Sequence, residues 1–279
     1  MKDIVLSKRM EAVVDMVSPQ SFTIADIGCD HAYVSIALIK RKLAGKVIAM
    51  DVRKGPLGIA KKNVAAYAEE QSIELRLSDG LEQLAPGEAD SIIIAGMGGL
   101  LIKSILEKGN SVLSYKEKRP ILILQPQSDL REVRIFLYQN AYHIVQERML
   151  IDEGKYYTVI KAEPDRTESK MTEGNQLIEP ESEKSDRGDS DEALFSEVEW
   201  VYGRYGLEHQ DAILYAFLQK ERSTLEAILE RLNQQWSLLG NEKIPRKTRE
   251  RLDAIKEELN RNAEAMLYFA NKNTEPKAT

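Results

Sequence analysis

The chain has 279 residues, 43% hydrophobic and 30% charged, which supports a buried core and either one large domain plus a smaller one or one large α/β domain. Its single cysteine, Cys29, excludes an internal disulfide framework and a cysteine-built zinc site, and His31, His143 and His209 are too widely spaced for a metal cluster. The net charge of −6 is local in origin: residues 163–196 alone hold eleven Asp/Glu against four Lys/Arg, so the acidic sum does not exclude a polyanionic partner.

No apolar run approaches the ~20 residues of a membrane span. The opening stretch MKDIVLSKRMEAVVDMV has basic residues but lacks the apolar centre and cleavage site of a signal peptide. The cytoplasm is the expected location.

Between residues 21 and 163, short β-rich runs alternate with helical stretches. Strands are expected at Thr23–Gly28, Lys46–Asp51, Ile73–Ser78, Asp90–Ala95 and Ile121–Gln125. Four of these are nearly continuous apolar runs, as parallel strands covered on both faces require, whereas Ile73–Ser78 alternates and suits an outer strand. Helices are expected near 31–43, 55–71, 99–108 and 128–140, giving a doubly wound sheet with right-handed crossovers. Two further runs, Tyr142–Ile151 and Tyr156–Lys161, flank Asp152-Glu153-Gly154-Lys155 and read as a hairpin. A mostly parallel seven-stranded sheet ending in an antiparallel hairpin is the Rossmann-like shape of class I methyltransferases.

Residues 164–196 are polar, acidic and poor in aromatics, and are expected to form a flexible linker or insertion between a catalytic domain at 1–163 and a helical domain at 197–279. From Leu214 an apolar stripe runs through Leu218, Glu221, Leu225, Ile228, Leu232, Gln235 and Leu239. A second runs through Leu252, Ile255, Leu259, Asn262, Met266 and Phe269. With a turn at Gly240-Asn241 and Pro245, these predict a helical hairpin or short coiled coil. A monomer is expected, with dimerisation through the same stripe as its competitor.

The first strand ends in Asp26-Ile27-Gly28-Cys29-Asp30-His31-Ala32. A glycine there lets a ligand approach the backbone, and the helix that follows offers free amides. A dinucleotide fingerprint needs glycine where Asp30 stands. A carboxylate at that position repels a pyrophosphate but tolerates the sulfonium and ammonium of S-adenosylmethionine. Asp51, at the end of the second strand, is placed to accept ribose hydroxyls, and Asp79, after the third, to accept from an adenine amine. The fourth strand ends in Ala95-Gly96-Met97-Gly98-Gly99, without the Asn/Asp-Pro-Pro-aromatic run that grips an exocyclic amine, which points away from exocyclic nitrogen chemistry. Gln125 is a candidate for hydrogen-bonding a base edge, and Ser128 or Asp129 for capping the next helix.

Six segments, LSKRMEAVVDMV at 6–17, ADIGCDHAYVSIAL at 25–38, AMDVRKGPL at 49–57, SDGLE at 78–82, IIIAGMGG at 92–99 and LILQPQSDLREVRIFL at 122–137, together resemble the bacterial tRNA (adenine-22-N1)-methyltransferase family. The resemblance covers the catalytic domain nearly end to end. It implies a Rossmann-like domain followed by a helical coiled-coil domain, S-adenosylmethionine, tRNA and no metal. It also implies a cofactor pocket lined by Gly28, Asp30, His31, Asp51, Val52, Asp79, Gly80, Gly96 and Met97, with Arg9 over the cleft. The family usually carries a Phe-Gly-Pro-like run where this chain has Tyr202-Gly203-Arg204-Tyr205-Gly206.

Adenine N1 carries a lone pair, so the work of such an enzyme is mainly positional. Asp30 is the candidate catalytic residue, facing the base or the charge that it gains. Phosphate contacts are expected from Lys8, Arg9, Arg53, Lys54, Arg131 and Arg134, with Arg246, Lys247, Arg249 and Arg251 on the last helix. Two other readings stay open: methylation of ribosomal RNA, a protein or a small molecule, and a non-catalytic nucleotide-sensing module.

Overall fold

The computed structural model describes residues 4–19, 21–115, 117–165, 195–236 and 245–270. The chain divides into two units, Met1–Asp191 and Glu192–Thr279.

In the first unit the elements run α1 (Lys8–Asp15), β1 (Thr23–Ile27), α2 (Tyr33–Lys40), β2 (Lys46–Asp51), α3 (Lys54–Ala66), β3 (Ile73–Leu77), β4 (Ser91–Met97), α4 (Gly99–Lys108), α5 (Asn110–Leu113), β5 (Ile121–Pro126), α6 (Leu130–Gln139), β6 (Tyr142–Asp152) and β7 (Lys155–Pro164). The strands form one sheet in the order β3-β2-β1-β4-β5-β7-β6. β1 to β5 pair in parallel, β7 pairs antiparallel with both β5 and β6, and the alternating strand β3 lies at the edge. This is the Rossmann-like methyltransferase fold.

Both faces of the sheet are covered, which explains the continuous apolar strands. On one face Ile48, Met50, Ile92, Ile94, Leu122 and Leu124 meet Ile102, Leu106, Val133, Phe136 and Leu137. On the other, Ile24, Val47, Ala49, Ile93 and Ile123 meet Val13, Ile36, Leu38, Ala60 and Val64 from the first three helices. Each of the valine, leucine, isoleucine, methionine and phenylalanine side chains among them contributes about 1.5–3 kcal/mol on burial.

Two helices are shorter than their sequence patterns suggest. Lys42 (φ +58°) ends α2, with the Leu43 amide bonding the Leu38 carbonyl, and Ala68 (φ +57°) ends α3, with Glu69 bonding Val64. Both are left-handed closures made without glycine, so no sequence signal marks them. The expected cap at the start of α6 is also absent. Asp129 is left-handed (φ +53°) and makes no side-chain cap bond, and the Ser128 hydroxyl donates to its carboxylate at 2.5 Å. The hairpin turn has positive φ at Glu153 and Gly154, the I′ geometry that matches strand twist.

The second unit contains α7 (Glu197–Tyr202), α8 (Arg204–Glu208), α9 (Ala212–Trp236) and α10 (Arg246–Ala270). A capping box between Ser196 and Glu199 starts α7. Leu214, Leu218 and Leu225 of α9 are buried, as are Leu252 and Ile255 of α10. The polar steps in the two stripes meet one another: Asn262 donates to Glu221 at 2.9 Å and to the Leu218 carbonyl at 2.9 Å, while the Tyr202 hydroxyl donates to Glu221 at 2.6 Å. The expected turn at Gly240-Asn241 and nearly all of the acidic stretch 164–196 lie outside the described residues. No helix among the described residues is long and apolar enough to cross a membrane, and no group of three or more His, Cys, Asp or Glu is arranged to hold a metal ion.

Candidate active site

A cavity of about 560 Å³ opens at the carboxyl ends of β1, β2, β3 and β4. β1 lies between β2 and β4, so the chain reverses its direction of sheet building there, and such a switch point is where open α/β sheets bind ligands.

The loop from Gly28 to Ala32 floors the cavity. Gly28 (φ +71°), Asp30 (φ +50°) and Ala32 (φ +60°) are all left-handed. Two of the three carry side chains, and strain of this kind concentrates at ligand sites. The amides of Gly28 and Cys29 bond the Met50 carbonyl at 2.8 and 2.9 Å, pinning the loop to β2. A Cβ on Gly28 would stand 2.1 Å from the Met97 Cε, so the glycine lets the Met97 methyl pack against the loop. The helices α2 and α3 begin beside this loop or its neighbour without a side-chain cap, leaving amides for a ligand, whereas the first amide of α4, at Gly99, is bonded to the Ser128 carbonyl at 3.1 Å.

Carboxylates ring the same end. Asp51 is 5% exposed; its Oδ1 accepts the Arg53 amide at 2.8 Å and its Oδ2 the Asp30 amide at 3.2 Å. Each oxygen retains a further acceptor site. Asp26 is buried, receives the Ser35 hydroxyl at 2.5 Å, and is pushed up to about 6 by burial, against the lowering effect of Ser35. Burial and the neighbouring carboxylates raise the Cys29 thiol, which keeps it a neutral wall residue. Asp30 and Asp79 are exposed at the rim, with the His31 ring 3.6 Å from Asp30.

The profile of the methyltransferase domain family matches residues 6–160. The tRNA (adenine(22)-N(1))-methyltransferase of Bacillus subtilis is 40% identical over 163 residues, covering 58% of this chain and 67% of that protein. The chain belongs to this methyltransferase family. The crystal structure of the Bacillus subtilis m1A22 tRNA methyltransferase TrmK superposes with a TM-score of 0.73 at 28% identity, covering 95% of this chain and all of that one. A structure of Streptococcus pneumoniae Sp1610 in complex with S-adenosyl-L-methionine has a TM-score of 0.70 at 27% identity, covering 94% and 100%.

In this methyltransferase, all nine residues expected in a cofactor pocket line the cavity: Gly28, Asp30, His31, Asp51, Val52, Asp79, Gly80, Gly96 and Met97. Arg9 and Arg53 line it as well. The other expected substrate contacts are placed differently. Gln125 is completely buried, with its amide committed to protein partners, so it offers nothing to a base edge. Lys54 starts α3 outside the cavity lining, and Arg131 bonds its neighbour Glu132 at 2.9 Å. Arg134 is 3% exposed and forks onto Glu147 at 2.8 and 2.9 Å, so it serves the interior and not a phosphate. On α10, Arg246 and Arg251 pair with Glu250 and Glu258.

The cavity also uses residues the sequence reading did not single out: Asp26, Tyr33, Ser78 and Leu101. Asp26 had a signal, since it sits two residues before Gly28 in the same motif. Tyr33 and Leu101 had none, because one aromatic and one leucine on helix starts look like ordinary surface and core residues.

Proposed function

We propose that this chain is an S-adenosylmethionine-dependent methyltransferase that modifies tRNA at N1 of adenine 22. The observation that carries the reading is the acidic, glycine-floored cavity at the switch point, in a chain of this family. The donor set fits the cofactor: carboxylates suit its cationic groups, and Gly28, left-handed at φ +71°, lets a ligand approach the loop backbone closely. The volume of about 560 Å³ lies within the range of small-molecule sites.

When bound, S-adenosylmethionine supplies a methyl group activated by a sulfonium. Asp51, held by two amides, is the acceptor for the ribose hydroxyls in this reading, and Asp79, exposed at the rim, the acceptor for the adenine amine. Asp26 supplies negative charge under the loop. Gly96 and Met97 bound the side from which a target base would enter. Adenine N1 needs no strong base to be alkylated, so the site must mainly hold the nucleotide in line and exclude its pairing partner. Asp30, with its side chain 60% exposed at the rim, is placed to face the positive charge that the base acquires. Full turnover by Asp30→Ala with unchanged cofactor affinity would remove that role.

We assign tRNA contacts outside the D-loop to the helical unit, with the acidic stretch as linker, and read the chain as a cytoplasmic monomer that uses no metal. The test of function is transfer of labelled methyl to bulk tRNA followed by nucleoside analysis. 1-Methyladenosine at position 22 is expected. A labelled protein, small product or ribosomal RNA, or no transfer at all, would overturn the reading.

A further inference from the structure

Four segments distant in sequence meet behind the floor of the cavity. β4 carries one extra residue relative to β5, with the register shifting between Ala95 and Met97, and Gly96 (φ +78°) is the bulged residue. Its amide donates to Gln125 Oε1 at 3.1 Å. The same oxygen receives Arg9 Nη1 at 2.8 Å, and Gln125 Nε2 donates to the Pro126 carbonyl at 3.0 Å, which fixes which way the amide points. Arg9 also lies over the Tyr157 ring, 5.4 Å from its centroid, and its backbone amide donates to Asp152 at 3.2 Å.

The partners of the Arg9 guanidinium are therefore a neutral amide and an aromatic ring. Among the described residues no carboxylate pairs with it. Arg41, Arg76 and Arg134 each pair with glutamate, whereas Arg119 resembles Arg9 in bonding neutral groups, the Leu113 and Asn140 carbonyls, and lying over the Tyr142 ring, but it does not line the cavity. What sets Arg9 apart is that this half-buried cation, held in place but not neutralised, lines the cavity, where an anion can reach it.

The geometry points to Arg9 as a phosphate-binding group on the target side of the cleft, with Gln125 as the positioning residue that orients it without cancelling its charge. The inference rests on the tRNA reading, and the ligand is the phosphodiester beside the extruded nucleotide. Glutamate at position 125 could accept from Arg9 and from Gly96 equally well. It would also neutralise the cation and face the Pro126 carbonyl with a second acceptor. The choice of amide over carboxylate is thus what leaves Arg9 free to attract an anion.

The test measures affinity for an unmodified tRNA transcript as a function of salt, together with methyl-transfer kinetics and cofactor affinity. Arg9→Met is expected to raise KM for tRNA about ten- to a hundredfold. The slope of log affinity against log salt should lose about 0.7–0.9, the value of one phosphate contact. Gln125→Glu should lose the same slope although the arginine is still present, and Arg9→Lys should recover it. Unchanged slope in Arg9→Met, even with weaker binding, would mean a base contact and overturn the proposal. So would a wild-type slope in Gln125→Glu. If that buried charge prevents folding, equal slopes for Arg9→Met and Arg9→Lys would overturn it instead. A wild-type chain that makes no 1-methyladenosine on tRNA overturns the function itself and the phosphate site with it, an outcome read without any variant.

Discussion

At the ends of β1, β2 and β3 the cleft presents Asp26, Asp30, Asp51 and Asp79, whereas at the end of β4 and beneath α1 it presents Arg9, the Gly96–Met97 bulge and no lining carboxylate. The same sheet edge thus carries negative charge where a cationic methyl donor belongs and positive charge where a polyanion would enter. The separation is incomplete, since Arg53 lines the acidic half with its Nε 3.8 Å from Asp51, but the central group on each side is held in place. Asp51 is held by two amides, and Arg9 by one amide and one ring.

The largest effect that sharpens this contrast is expected at an arginine outside the cleft. Arg134→Met strands the buried Glu147 and should cost about 3–5 kcal/mol of stability in denaturant unfolding, with the salt dependence of tRNA binding unchanged. A reduced salt slope in that variant would blur the distinction between structural and substrate-facing arginines. Next in size, Asp51→Ala should weaken cofactor binding about a hundredfold by calorimetry while tRNA affinity moves only a few-fold. An equal fall in both would break the idea of two separate halves.

Asp26 allows a test by pH. Its folded value of about 6 lies above the ordinary 3.8, so between those pH values the folded chain holds a proton that the unfolded chain has released. Stability from this group is therefore greatest at low pH and declines as pH rises toward 6. Above that, the carboxylate carries its full burial penalty, on the order of 3 kcal/mol. Glu74 and Glu88, both lowered by Arg76, change in the opposite sense and lose stability as pH falls, so the comparison needs a variant. Relative to wild type, the cofactor-free Asp26→Asn chain should gain stability from pH 4 to 6 and then level off, while binding the cofactor less well. A stability difference flat with pH would show that Asp26 does not titrate there. On the target half, Gly96→Ala forces a side chain into left-handed backbone 3.1 Å from Arg9, and should cost about 1–2 kcal/mol and weaken tRNA binding more than cofactor binding. The smallest effect is expected for Asp152→Ala, about 0.5–1 kcal/mol, read as a slightly lower Tm.

The cofactor half was far more legible in the sequence than the target half. Continuous apolar strands separated by helices predict the sheet, and Asp51 and Asp79 follow from being strand-end residues. Each acts close to where the chain places it. Gln125, Arg9 and Arg134 act through partners 116, 116 and 13 residues away, so charge and strand position gave the wrong role for Gln125 and Arg134. The early ends of α2 and α3 escaped for a different reason: left-handed lysine and alanine leave no compositional trace.

The ties that hold Arg9 also set an order of assembly. Strands β1 to β4, with Asp26, Asp51 and Asp79, are complete once residue 97 has been made. Arg9, which precedes these strands in the chain, is held by Gln125 and by Asp152, 116 and 143 residues later. On a growing chain the acidic half has all its parts while α1 still lacks its anchors, and pairings so distant form late. Arg9 cannot be fully anchored until the hairpin has been made and folded against the sheet, so a chain cut short before the hairpin retains its carboxylates without a fixed Arg9.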